Sequence, residues 1–364
     1  MFGVAAALAG LCLGLVGAEL LVRTWEKISG ASEEFTYEAS RQFKDLHRLS
    51  TCPGLPYELR PGATATIRYG GGSAVQYRIS KHGMRGPELS DDAVLRVLLL
   101  GDSVTFGYYA REESTFASLL AGHLGGGDSC VTLNGAVGGY NTYTELQWYR
   151  CHGRSLNPHI VVLCFCPNDV DDPYGHFSWH TLEALGELPA EMYPNPARSE
   201  RLRESRARAA RSWGWRLWQE TRRGSRLAWR ASLLYDRRVG AGRRPFLDCL
   251  VALADTTSAE SRWFAANLER LRREIPRGTL LVVAVLPLRY QMSTTRYDRA
   301  LGSVESTARR LGVPVLNLVS RLRGMGTVCY LDASHLSSVG HRTVASAMGA
   351  FLRERHPVAA GRSE

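Results

Sequence analysis

Four short blocks of the sequence carry side chains suited to acyl chemistry. Gly101-Asp102-Ser103 closes an apolar run, where the glycine permits a tight turn and the serine hydroxyl would stand at a strand end, presented to solvent. Asp332-Ala333-Ser334-His335 sets a carboxylate three residues before an imidazole, close enough for the aspartate to hold one ring N–H while the other nitrogen faces the serine. A serine hydroxyl is a poor nucleophile until such a nitrogen takes its proton. Pro167-Asn168-Asp169 supplies an amide donor of the kind that stabilises a tetrahedral intermediate. The glycine-rich loop 134–142 has backbone N–H groups that can approach a ligand without a Cβ in the way and donate to an oxyanion.

These blocks need a frame that brings them to one place. Short apolar runs at 95–100, 131–133, 160–165, 280–286 and 313–318 alternate with helical stretches. Ser114 reads as an N-cap before Phe116, Leu119 and Leu120, and 344–352 reads as a final helix. The pattern predicts an α/β domain over 93–356 with three α/β/α layers around a five-stranded parallel sheet. In a doubly wound sheet, ligands sit at the carboxyl ends of the strands, where the four blocks fall. Ahead of it, 26–92 reads as a small β-rich lead-in with alternating runs near 64–69 and 74–79. Between the third and fourth strands lies a helical insertion, about 172–257.

Taken together and in order, the four blocks resemble those of the SGNH/GDSL hydrolase superfamily over roughly 96–353. The resemblance implies a flavodoxin-like sheet, Ser103 as nucleophile, His335 as general base and Asp332 as its orienting acid. It further implies an oxyanion hole built from the N–H of Ser103, the N–H of Gly139 and the side chain of Asn168, with no cofactor and no metal. Two departures bear on the pocket: Ala136 stands where many members have glycine or serine, and Pro167 where the best-known enzymes have glycine. The stretch Tyr77-Arg78-Ile79-Ser80-Lys81-His82-Gly83-Met84-Arg85-Gly86 also looks like the lead-in of membrane-anchored members.

The composition narrows the class. With 364 residues, 45% of them hydrophobic and 22% charged, the chain can bury a sizeable core, which excludes a disordered protein. The net charge of +10 is concentrated in 198–244, where 15 arginines face four acids. That stretch, with Trp213, Trp215, Trp218 and Trp229 in or beside it, suits anionic glycans, membrane surfaces and nucleic acid alike, and the plain reading is a helical lid with a solvated face. Nucleic acid is not the expected partner. The eight cysteines show neither a CxxC pair nor Cys/His ligand spacing, so no structural zinc is expected; Cys164 and Cys166 read as core, and Cys52 and Cys130 could pair in an oxidising compartment. His341 reads as a capping or surface residue, and Asp169, Asp171 and Asp172 as loop carboxylates; His176 and His180 have no ligand partners in the pattern.

Residues 2–18 carry no charge, and 20–22 extend the apolar stretch past Glu19. Segment 1–25 is therefore expected to act as a membrane anchor with an extracytoplasmic catalytic domain, or as an export signal cleaved near Val16-Gly17-Ala18. Arg23 and Lys27 favour the opposite orientation by the positive-inside rule. The expected activity is hydrolysis of short-chain or acetyl esters, with a polysaccharide as one acyl carrier. The alternatives are O-acyl transfer by the same triad, or a non-enzymatic glycan- or membrane-binding module. The sequence fixes no oligomeric state.

Overall fold

The computed structural model describes residues 2–29, 44–68, 74–88, 93–125, 129–171, 190–197 and 245–357, with Ala359 and isolated positions between 199 and 228. The chain opens with helix α1 (Phe2–Ser29). The lead-in then forms two antiparallel hairpins, β1 (His47–Leu49) with β2 (Tyr57–Leu59), and β3 (Thr64–Arg68) with β4 (Ala74–Arg78). In β4 the inward residues Val75 and Tyr77 are buried while their neighbours face solvent, as a half-buried strand requires.

The main sheet consists of β5 (Leu95–Gly101), β6 (Cys130–Asn134), β7 (Ile160–Phe165), β8 (Leu280–Val285) and β9 (Val315–Asn317). All pairings are parallel, in the order β6-β5-β7-β8-β9. Every residue of β7 is fully buried, so the strand has no solvent face and its run is apolar without alternation. The described helices around the sheet are α2 (Ser103–Phe106), α3 (Phe116–His123), α4 (Thr142–Cys151), α5 (Pro245–Ala254), α6 (Ala259–Glu274), α7 (Asp298–Arg310), α8 (Val319–Met325) and α9 (Ser338–Arg353). The strand order is the doubly wound, flavodoxin-like one. The chain leaves β5 to one side for β6 and to the other for β7, so the carboxyl end of β5 is the switch point at which such sheets bind ligands.

Several expectations shift. The second strand runs longer than 131–133, and the fifth run shrinks to β9, because Pro314 has no N–H to give and contributes only its carbonyl, to Val283. Thr115, not Ser114, caps α3, its hydroxyl accepting the Ser118 N–H at 3.2 Å. The last helix begins at Ser338, capped by Ser337. The β1–β2 hairpin had no alternating signature long enough to announce it.

Of the insertion, 172–189 and most of 198–244 lie outside the described residues, as do His176, His180, Asp172, Trp215, Trp218 and Trp229. Among its described positions, Ser225 Oγ and the Leu227 N–H both donate to Glu19 of α1, at 2.9 and 2.8 Å. Among the described residues no helix is long and apolar enough to cross a membrane, α1 included. Residues 2–18 are rich in Ala and Gly, and Glu19, Arg23, Glu26 and Lys27 follow within the same helix, which limits its apolar length.

Candidate active site

The site begins with how β5 ends. Gly101 is the last residue of the strand, and a Cβ there would collide with the Thr105 side chain, so only glycine lets the chain turn this tightly into α2. Asp102 caps α2, its Oδ1 accepting the Val104 N–H at 2.8 Å. Ser103 is thereby the first helical residue, and its N–H has no internal acceptor among the described residues.

His335 reaches Ser103 from the far end of the chain. Its Nε2 lies 2.9 Å from Ser103 Oγ, and its Nδ1 lies 2.7 Å from Asp332 Oδ2. The other carboxylate oxygen of Asp332 accepts the backbone N–H groups of Ser334 and His335 at 2.9 and 2.7 Å. Burial alone would raise the Asp332 pKa, but the His335 ring and these backbone donors outweigh it and hold the carboxyl down to about 2. An ionised Asp332 fixes the ring tautomer, with the proton on Nδ1 and the lone pair of Nε2 toward the serine.

Asn168 sits in the turn Pro167–Val170 after β7. Its Nδ2 donates to Asp102 Oδ2 at 2.6 Å, which leaves the second amide hydrogen for an oxyanion and ties the third block to the first. Gly139 lies in the loop after β6 with φ +81°, a conformation open to glycine at little cost. Its neighbour Gly138 is packed so closely against Tyr108 that a Cβ would strike the phenol oxygen. The loop is braced by the lead-in: Tyr57 Oη donates to the Gly138 carbonyl at 2.8 Å, and Tyr140 Oη donates to the Tyr57 carbonyl at 2.5 Å. The structure thus brings Ser103, Asp332, His335, Gly139 and Asn168 to loops at one edge of the sheet.

Residues that the sequence did not single out complete the surroundings. Tyr108 stacks on His335 with ring centroids 5.3 Å apart, and Tyr109 meets the same ring edge-on at 5.3 Å. Tyr109 holds a left-handed φ of +68°, a strained backbone of the kind that concentrates at functional sites. The turn that presents both is gripped by Arg85, whose Nη1 donates to the carbonyls of Phe106 and Gly107 at 2.7 and 2.6 Å and whose Nη2 donates to that of Ala110 at 2.6 Å. The guanidinium lies beside the stacked pair of Tyr77 and Phe106, 4.4 and 5.0 Å from their ring centroids. Its only trace in the sequence is the arginine at the end of the 77–86 stretch, and nothing in that spacing points to a loop 21 to 25 residues on.

Other expectations are corrected. His341 is not at the surface and does not cap its own helix: it is buried against α3, its Nδ1 accepting the N–H of Phe116, the first residue of α3, at 3.1 Å. Burial first, and then the nearby Arg85 guanidinium, push its pKa down to about 3, so it is a neutral core residue. Asp169 and Asp171 are buried and not solvated loop carboxylates. Asp169 Oδ2 accepts the Cys166 N–H at 2.8 Å, and burial beside Glu145 and Asp102 pushes its pKa well up. Glu145 of α4 is likewise buried and raised, and neither of its carboxyl oxygens has a hydrogen-bond partner among the described residues. Cys52 faces Cys151 and His152.

No protein-family model matches the sequence, and no curated protein matches it. Among solved structures, the chain is similar to a lipase/acylhydrolase from Enterococcus faecalis at 14% identity, covering 72% of this chain and 96% of that one, with a TM-score of 0.41. It is similar to an acetyl xylan esterase at 14% identity, covering 71% and 100%, with a TM-score of 0.41. A catalytic mutant of an acetylxylan esterase from Geobacillus stearothermophilus aligns at 13% identity over 72% and 94%, also with a TM-score of 0.41.

Proposed function

We propose that the chain is a serine ester hydrolase that removes short acyl groups, acetyl foremost, through an acyl-Ser103 intermediate. The observation that carries this reading is the unbroken hydrogen-bonded line from Ser103 Oγ through His335 Nε2 and Nδ1 to Asp332 Oδ2. In the first step His335 takes the Ser103 proton as the oxygen attacks the ester carbonyl, then passes it to the departing alcohol. In the second, His335 draws a proton from water as it attacks the acyl carbon, the bond to Ser103 Oγ breaks, the proton passes from Nε2 to Oγ, and the carboxylic acid leaves. The negative oxygen formed in each step would be met by the N–H groups of Ser103 and Gly139 and the free amide hydrogen of Asn168, a set of fixed donors that needs no reorganisation.

On this reading Tyr108 and Tyr109, which pack against the His335 ring, crowd the acyl side of Ser103 and favour small acyl groups. A polysaccharide as acyl carrier and membrane attachment through the uncharged residues 2–18 of α1 complete the proposal. A pure binding module would have no use for a base, an orienting acid and an aligned hydroxyl together.

The test is hydrolysis of p-nitrophenyl acetate, butyrate and octanoate by the purified chain beside Ser103→Ala. Turnover that falls with acyl length and vanishes in the variant supports the reading. Equal rates for the two proteins would refute the assignment of Ser103, and faster cleavage of octanoate would refute the small-acyl preference.

A further inference from the structure

A second cluster of reactive side chains lies away from the triad, where the β1–β2 hairpin meets the end of α4. Cys52 follows β1, Glu58 lies on β2, and Cys151 and His152 close α4. Cys52 Sγ stands 3.6 Å from His152 Nε2, and that same nitrogen stands 2.8 Å from Glu58 Oε2. The three ligand atoms all fall within 4.8 Å of one another; Cys151 is a neighbour of Cys52 outside that trio, and its thiol must turn in to join it.

This is not a second catalytic relay. A thiol–imidazole–carboxylate relay uses both ring nitrogens, one toward the nucleophile and one toward the acid. Here one nitrogen meets both partners, so the atoms converge on a point instead of standing in line. Convergence of a thiol, an imidazole and a carboxylate, with a second thiol beside them, is the chemistry of a tetrahedral thiolate-containing metal site. With a metal about 2.3 Å from sulfur and about 2.05 Å from nitrogen, tetrahedral geometry places sulfur and nitrogen about 3.6 Å apart, which matches the Cys52–His152 distance. The same geometry asks Glu58 Oε2 to withdraw from His152 by about half an ångström. The carboxylate is already oriented by Arg48, 2.6 Å from Oε1, and by Ser50 Oγ, 3.1 Å from Oε2.

We infer that Cys52, Cys151, His152 and Glu58 form a closed binding site for a zinc-class divalent metal. Ligand spacing along the sequence could not announce it, because the hairpin and the helix contribute two ligands each from positions about a hundred apart. Four protein ligands leave no open position, so the metal is structural: it ties the hairpin to α4. The same hairpin carries Tyr57, which holds the Gly138 carbonyl beside the proposed oxyanion glycine.

The experiment uses the full chain, expressed with zinc and purified without chelator or reductant. Metal content is measured by plasma mass spectrometry, and the alkylation of each cysteine is mapped with and without chelator. About one zinc per chain is expected, with Cys52 and Cys151 protected until chelator is added. Cys52→Ser, Cys151→Ser and His152→Ala should each weaken zinc retention at least tenfold, while Cys12→Ser and Ser103→Ala leave it unchanged. Where a variant fails to fold, cobalt exchanged into the native chain decides, through its thiolate-to-metal charge-transfer absorption. Absence of metal, absence of that absorption, or a Cys52–Cys151 disulfide in the peptide map would overturn the inference.

Discussion

At the scale of single residues, the arrangement makes sharp claims about Asp332 and His341. Asp332→Asn keeps an oxygen for the N–H groups of Ser334 and His335, so the turn should survive, but it no longer holds the Nδ1 proton. Turnover is expected to fall about 10⁴-fold with the fold intact, as steady-state kinetics and circular dichroism would show. Asn168→Ala should cost about 10²- to 10³-fold in kcat. His341 titrates at about 3 in the folded chain against an ordinary value of about 6.5, so between these values the unfolded chain binds a proton that the native chain refuses. Stability therefore falls as pH drops through that window. His341→Asn retains an acceptor near the Phe116 N–H and should flatten the decline in melting temperature from about pH 6.5 toward about pH 4 relative to the parent chain; an unchanged slope would mean that His341 does not titrate there. Ser103 and Asn168 stand out in the sequence because each closely follows an apolar run, and Asp332 with His335 because a carboxylate three residues before an imidazole is a spacing that chemistry uses. His341 was misread because nothing local distinguishes a histidine that faces the core from one that faces water.

Among elements, the decisive contact is between the lead-in and the loop that follows α2. Arg85 makes three charge-assisted hydrogen bonds to that loop from a buried position, so its removal leaves carbonyls unpaired and unseats the tyrosines against His335. Arg85→Met is expected to destabilise the chain by roughly 3 kcal/mol in urea unfolding and to lower kcat. Arg85→Lys should not restore either, since an ammonium cannot span three carbonyls with the planar fork. Full rescue by lysine would show that charge alone suffices. The sheet itself was legible, because strands buried on both faces appear as uninterrupted apolar runs. Helix starts and the short edge strand were less so, since they depend on which hydroxyl caps and on where Pro314 interrupts the pairing. The β1–β2 hairpin was invisible: its strands are three residues long and are held by tertiary partners.

For the whole molecule, the strand order carries the argument from sequence to site. A reversal at β5 sets Ser103 at the switch point, the loops after β6 and β7 carry Gly139 and Asn168, and the segment between α8 and α9 brings Asp332 and His335 to it. The arginine-rich stretch resists such reading, because a run of like charge constrains neither partner nor fold. Membrane attachment belongs to this scale too: the full chain is expected to float with lipid vesicles and a chain lacking residues 1–29 to remain behind, with turnover unaltered. Flotation of both would place the attachment elsewhere. The central claim, that His335 activates Ser103 as a nucleophile, is tested most directly by trapping the serine with an aryl phosphonate and reading the adduct by peptide mass spectrometry. A single adduct on the peptide that contains Ser103, formed by the parent chain and strongly slowed in His335→Ala, is the predicted result. An adduct on another residue, or equal labelling without the histidine, would contradict it.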